Sequence, residues 1–167
     1  MSGADSAPKA DPKAAQKLIH IEVSHSPTRA LQAEYAHEEA VAIYDILDEN
    51  LFSLKDAPGP YKLVLGTDMR HVHFDVRDAD DAQLKGFVMA LGPFRRIMRD
   101  YSDVCTHYYD AIRTKSPTQI QAIDMGRRAL HNEGSELLQE RLGNYLDTDT
   151  ATARRLFTLI YVLTYRS

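Results

Sequence analysis

The chain has 167 residues, is 44% hydrophobic and 26% charged, and carries a formal net charge of -4. That length predicts one domain with a core of its own, and the mild acidity argues against any general attraction to nucleic acid or anionic membrane. The single cysteine, Cys105, excludes an intrachain disulfide and fits a reducing, cytoplasmic setting.

Residues 1–16 are small, charged or proline, with no large apolar side chain beyond Met1. They offer no apolar segment for a secretory signal and too little apolar surface to offset ordering, so a disordered tail is expected before a domain over residues 17–167. From Leu18 to Val23 the residues alternate, with Ile19, Ile21 and Val23 on one face and His20 and Glu22 on the other, which predicts a half-buried strand. Ser24–Thr28 reads as a turn with Pro27. From Arg29 to Leu51, Ala36, Ala40, Ile43, Leu47 and Leu51 line one face of a helix. The run His37-Glu38-Glu39 on that helix is expected on a solvated acidic face; Val41 stands where a zinc-binding HExxH motif would need its second histidine.

Asp56–Pro60 is a loop by its breakers. Tyr61, Leu63 and Leu65 alternate, residues 66–70 turn, and Val72, Phe74 and Val76 alternate again, which predicts a β-hairpin. A polar turn over Asp78–Ala82 leads into Gln83–Leu91, where strand is favoured over a short helix. Pro93 suits the first turn of a helix. Phe94, Ile97, Met98, Tyr101, Val104 or Cys105, Tyr108 and Ile112 then repeat at helical spacing. Ser116 and Pro117 restart a helix as N-cap and first residue, with Ile120, Ile123, Leu130, Leu137, Leu138 and Leu142 as core candidates. Gly126 and Gly134 each cost about 1 kcal/mol within it, and suggest close packing or a break near Asn132–Ser135. Thr148–Thr152 caps a last helix whose Leu156, Phe157, Leu159, Ile160, Val162 and Leu163 leave little polar face, so it is buried on most sides or covered by a second subunit, for which a homodimer is the natural form. No apolar run approaches the roughly 18 residues of a membrane helix. Strands early and helices late predict an α+β fold: a small antiparallel sheet from the N-terminal half packed against helices, with three consecutive helices in the C-terminal half.

The runs GPFRRIMRDY, YYDAIRTKSPTQIQAIDMGRRALHNEGSELLQERL and TARRLFTLIYVL resemble an uncharacterised protein family of alphaproteobacteria, over roughly Lys17 to Arg166. The resemblance implies a single domain in a bacterial cytosol. It carries over no reaction, substrate, cofactor or catalytic residue.

Candidate chemistry gathers on the helices. Arg95-Arg96 and Arg154-Arg155 fall near helix starts, where basic residues oppose the helix dipole, and Arg127-Arg128 sits within the middle helix. Guanidinium pairs match phosphate or carboxylate oxygens, and helix N-termini receive anions. The plainer reading pairs these arginines with Asp100, Asp103, Asp124 and Glu136. Asp124, Arg128 and His131 share a helical stripe, followed by Asn132 and Glu133, a grouping that could orient an imidazole as a base or simply form an i,i+4 ion pair. His71, His73 and Asp75 share one strand face, with His20 and Glu22 as further ligands if the strands are neighbours; this is metal geometry that a solvated hairpin also produces. Cys105 falls on the apolar stripe and reads as a core residue, with the tyrosines around it covering core edges. No glycine-rich phosphate loop of the P-loop or Rossmann type is present. The reading favoured is a non-enzymatic binding or regulatory module recognising a phosphate-bearing small molecule or a protein partner through Arg95, Arg96, Arg127, Arg128, His131, Asn132, Glu133, Arg154 and Arg155. The alternative is a hydrolase of a phosphorylated small molecule, which requires Arg95, Arg128 and His131 to converge in one cleft. Nucleic-acid binding is disfavoured by the acidic total.

Overall fold

The computed structural model describes residues 15–24, 33–68 and 70–165. In chain order the elements are β1 (Leu18–Ser24), α1 (Ala33–Asp48), β2 (Phe52–Leu54), β3 (Tyr61–Thr67), β4 (His71–Arg77), β5 (Gln83–Ala90), a 3-10 turn (Gly92–Phe94), α2 (Arg95–Thr114), α3 (Pro117–Leu142), β6 (Leu146–Thr148) and α4 (Thr150–Tyr165). The expected turn at 25–28, the expected helix start at 29–32 and the expected tail over 1–14 lie outside the described residues. The carbonyl of Gln16 already accepts a hydrogen bond from the Phe52 N–H at 2.9 Å, so the structured chain reaches back past Lys17.

The fold is α+β, as expected, with one correction to the sheet. Its order is β1-β3-β4-β5. The β3–β4 and β4–β5 pairs are antiparallel, but β1 runs parallel to β3. The cause is α1: a helix between two strands carries the chain back to the starting edge, and that crossover yields parallel strands. Gln83–Ala90 is a strand, completing the meander.

A second correction concerns β1. The register passes from Leu18↔Tyr61 to His20↔Lys62, so Ile19 is an extra residue in the ladder. This bulge flips the face: Leu18 and Ile21 are buried while Ile19 is 40% exposed. Asn50 holds the edge there, accepting from the Leu18 N–H at 2.7 Å and donating to the carbonyls of Leu18 and Ile46.

On α1 the buried face is also rotated from the expected one. Ala42 and Ile46 are buried, Ile43 and Leu47 half-buried, and Ala36 and Ala40 exposed; Glu38 and Glu39, expected in solvent, are half-buried. On α2, Ala111 rather than Ile112 closes the apolar face. The predicted cap of α3 is present as a full capping box: the Gln119 N–H donates to Ser116 Oγ, and the Ser116 N–H to Gln119 Oε1. Asp149 caps α4 by accepting from the Thr152 N–H at 2.8 Å.

The short pair β2–β6, antiparallel, was not expected. It ties residues far apart in sequence and sets Tyr145 against Phe87, which in turn stacks on Phe74. The buried apolar residues of sheet and helices form one cluster, centred on α4. Leu156, Phe157, Leu159, Ile160, Tyr161, Val162 and Leu163 are all 5% exposed or less. This chain's own sheet and helices cover α4, so its apolar surface no longer calls for a second subunit. No helix among the described residues is long and apolar enough to cross a membrane.

α3 runs unbroken through Gly134. A Cβ there would lie 2.3 Å from the Phe157 ring, whereas one at Gly126 would meet nothing nearer than Val104 at 3.9 Å. Phe157 is 1% exposed and cannot swing aside. Gly126→Ala should therefore stabilise the protein by about 0.5–1 kcal/mol through helix propensity. Gly134→Ala should destabilise it by about 1–3 kcal/mol through overpacking. Urea unfolding of the two variants checks this; two changes of the same sign would refute the packing account.

Candidate functional site

The arginine pairs are mostly absorbed by the fold. Arg96 binds Asp100 at 3.3 Å and Glu133 at 2.5 Å, bridging α2 to α3. Arg155 Nη1 donates to the Glu49 carbonyl at 2.7 Å and so closes the C-terminal end of α1, where a cation complements the helix dipole. Arg127 gives Nε and Nη2 to one oxygen of Asp124, at 3.1 and 2.6 Å. Arg128 reaches the other oxygen at 3.0 Å while remaining 70% exposed. These bonds, those of Arg127 first, hold the Asp124 carboxyl below its usual range. Arg95 and Asn132 are exposed, and Arg154 is half-buried beside His131.

His131 does not continue the Asp124–Arg128 stripe outward. It turns in, its Nε2 2.8 Å from Thr158 Oγ1, with its ring between Tyr101 and Phe157 at 5.5 and 5.2 Å. Thr158 Oγ1 donates to the Arg154 carbonyl, so Nε2–H is assigned as the donor to Thr158. Burial first, then the charges of Arg154 and Arg127, lower the imidazole to about 4. It is a neutral packing group at pH 7. Arg128 and His131, which the hydrolase reading joins with Arg95, face different ways: Arg128 is largely exposed beside Asp124, and His131 is turned in on Thr158.

On the sheet, Asp68 in the β3–β4 turn takes His73 Nε2 at 2.9 Å and the backbone N–H groups of Arg70 and His71. These bonds, that of His73 first, hold its carboxyl well below the usual range. Asp75 binds Arg77 instead. Among the described residues, no group of three or more His, Cys, Asp or Glu is placed to hold a metal.

What the structure does assemble is a cleft of about 360 Å3 in the helical layer. α1 contributes His37, Glu38, Val41, Ala42 and Asp45; α2 contributes Tyr101, Cys105, Tyr108 and Tyr109; α3 contributes Arg127; α4 contributes Thr158, Tyr161 and Val162. The sets from α1, α2 and α4 each fall at three- and four-residue spacing, the signature of one helix face. α1 and α3 both pack on α4, and α2 packs mainly on α3. α1 and α2 thus stand across the cleft, with α4 as its floor. The Arg127 guanidinium lies 4.7 Å above the Tyr108 ring, a cation–π contact that fixes its direction. Tyr101 hydrogen-bonds with Cys105; burial first, then the neighbouring thiol, push its phenol well above the usual range, so it stays protonated.

Of the residues expected to form a site, only Arg127 lines this cleft. The aromatic lining was legible on α2 as core edge. His37, Glu38 and Asp45 were hidden because the face of α1 was placed a fraction of a turn away.

A small α+β protein with an open, tyrosine-lined helical layer is the class that this fold and cleft define. The chain belongs to the uncharacterised protein family UPF0262, whose model matches residues 15–166. A UPF0262 protein of Rhodospirillum rubrum is 47% identical over 146 residues, covering 87% of this chain and 91% of its own. One of Paramagnetospirillum magneticum is 49% identical over 152 residues, with 90% and 97% covered. The resemblance seen in the helical half is thus a true membership. No solved structure matches the chain.

The buried imidazole makes a pH prediction. As pH falls through about 6.5, the ordinary value of His131, the unfolded chain takes up a proton that the folded state refuses until about 4. Stability should therefore fall as pH drops across that window. The lowered carboxyls of Asp68 and Asp124 act only below their ordinary value of 3.8. Urea unfolding from pH 7 down to about pH 4.5 should show the loss, and His131→Gln should flatten it. An equal slope in the variant would refute the assignment.

Proposed function

We propose that the protein is a non-enzymatic binding module whose ligand site is the helical cleft. Its ligand is a small molecule with an apolar or aromatic body and one anionic group, which Arg127 receives. The observation that carries this reading is the cleft itself: a concave, mainly apolar and aromatic space at the small end of the usual ligand-pocket range of about 300–1,000 Å3, with a fixed guanidinium in its wall. Two arginines share the single carboxylate of Asp124, so that carboxylate does not fully neutralise Arg127. Asp124 and Tyr108 hold Arg127 in place before any ligand arrives, which lowers the ordering cost of binding. The anion preference inferred from the arginine pairs thus narrows to one residue. The hydrolase reading draws less support, because His131 is turned from the cleft and Glu133 is engaged by Arg96.

A fluorescence titration with anilinonaphthalene sulfonate, an aromatic anion, tests this. Binding should saturate at one site per chain. Arg127→Met keeps the bulk and removes the charge, and should weaken binding about tenfold, roughly 1.4 kcal/mol. Tyr109→Ala should also weaken it, by loss of apolar wall. Non-saturating binding, or binding indifferent to both changes, would overturn the reading.

A further inference from the structure

β5 is the last strand of the sheet, and its backbone groups can be assigned to two sides. The Leu91 N–H donates to the Arg70 carbonyl at 2.8 Å, and the Arg70–Leu91 pair continues the β4–β5 register. Hydrogen-bonded pairs alternate along an antiparallel ladder, so Met89, Phe87 and Lys85 turn their backbone groups to β4. Gly86, Val88 and Ala90 turn theirs outward. Among the described residues no backbone group bonds to these three from outside, and all three are exposed, Val88 by 50%. Natural sheet edges are guarded by lysine, proline, a bulge or a cover. Here the register shift falls at Leu84, ahead of this stretch. Lys85 shares the face of Phe87 and lies 3.8 Å from Asp56, so residues 86–90 carry no guard of their own.

We infer that this edge pairs with the same edge of a second copy of the chain, antiparallel about a two-fold axis at Val88, so that two four-stranded sheets become one. That register matches every outward residue of both copies, Val88 with Val88 and Gly86 with Ala90. Their side chains are small and uncharged, so nothing repels, and the two exposed valines cover each other. The charges at the ends of β5 favour a second copy in this direction. The turn at its start carries Asp78, Asp80 and Asp81 against the single Lys62, with Asp80 and Asp81 exposed. Beyond its other end stand Arg70, exposed, and Arg99, which remains 62% exposed with Asp100 at 3.5 Å. A two-fold axis sets each acidic start towards the basic end of the other copy, twice over, whereas a parallel copy would set like against like. No residue of the helical cleft belongs to β5, so this inference stands apart from the binding reading.

Sedimentation equilibrium of the full chain tests this. With rising concentration the mass should climb from 18.9 kDa to twice that value. Val88→Lys sets two lysines opposite one another, and Asp80→Arg sets an arginine against the basic end. Each should raise the dimer dissociation constant about tenfold, and adding Arg99→Asp to Asp80→Arg should restore it. An unchanged circular dichroism spectrum shows that the variants are folded. Amide hydrogen exchange gives a second readout: Phe87 and Met89 should be slow at every concentration, and Gly86, Val88 and Ala90 slow only in the dimer. A chain that is monomeric throughout, or a dimer indifferent to Val88→Lys and Asp80→Arg, overturns the inference. Outward amides that are already slow in the monomer overturn it as well, because the edge is then covered by this chain's own residues.

Discussion

Burying α4 is the constraint on which the rest of this structure depends. A helix apolar on nearly every side is stable in water only when wrapped, and each large side chain removed from solvent stabilises the fold by about 1.5–3 kcal/mol. The wrapping dictates the neighbours. α3 approaches so closely that Gly134 must lack a side chain beneath Phe157. α1 is fastened to the start of α4 by two bonds, from the Leu51 N–H to Thr152 Oγ1 and from Arg155 to the Glu49 carbonyl. Gln139 donates to the Thr148 carbonyl and fixes the turn into α4 from the α3 side.

The cleft lies where the wrapping is incomplete. Thr158, Tyr161 and Val162 fall at i, i+3 and i+4, a stripe of α4 that lines the cleft together with residues of α1 and α2. Tyr161 and Val162 are still 5% exposed or less, so side chains from both flanking helices lean over the floor. His131 backs this floor through Thr158. On sequence grounds the stripe of Asp124, Arg128 and His131 could orient this imidazole as a base. In this setting it is a neutral spacer between two aromatic rings, and its hydrogen bond is spent within the helix pair. The surface of the cleft is therefore made of ring faces and apolar side chains with the Arg127 guanidinium in its wall.

Much of the fold was legible because it is local. The period-two runs of β3 and β4, the helical stripe of α2 and the Ser116 cap of α3 all announce themselves within a few residues. What was missed is non-local or too short to have a period. β2 and β6 have three residues each, and neither means anything without the other. The bulge at Ile19 depends on the partner strand, since only pairing with β3 shows that one residue is extra. The parallel edge depends on where α1 returns the chain. For the site, i,i+3 and i,i+4 ion pairs such as those of Asp124 could be read from the sequence. The Arg96–Glu133 bridge joins residues 37 apart, and only helix packing creates it.

The fate of the arginines shows why composition of a segment is a poor guide to a binding site. A guanidinium that is exposed and mobile must be ordered by its ligand, at a cost in side-chain entropy that can approach 2 kcal/mol. Of the pairs expected to act, Arg96 and Arg155 spend their charge on structural partners, while Arg128 points into solvent. Arg127 alone combines a fixed direction, an incompletely neutralised charge and a place in a concave wall. Asp124, which on a charge count should weaken it as an anion receptor, is what aims it. Because Arg128 shares that carboxylate, the aiming does not use up the charge, and one acidic residue thereby converts an ordinary helical arginine pair into an oriented cation at the edge of an apolar cleft.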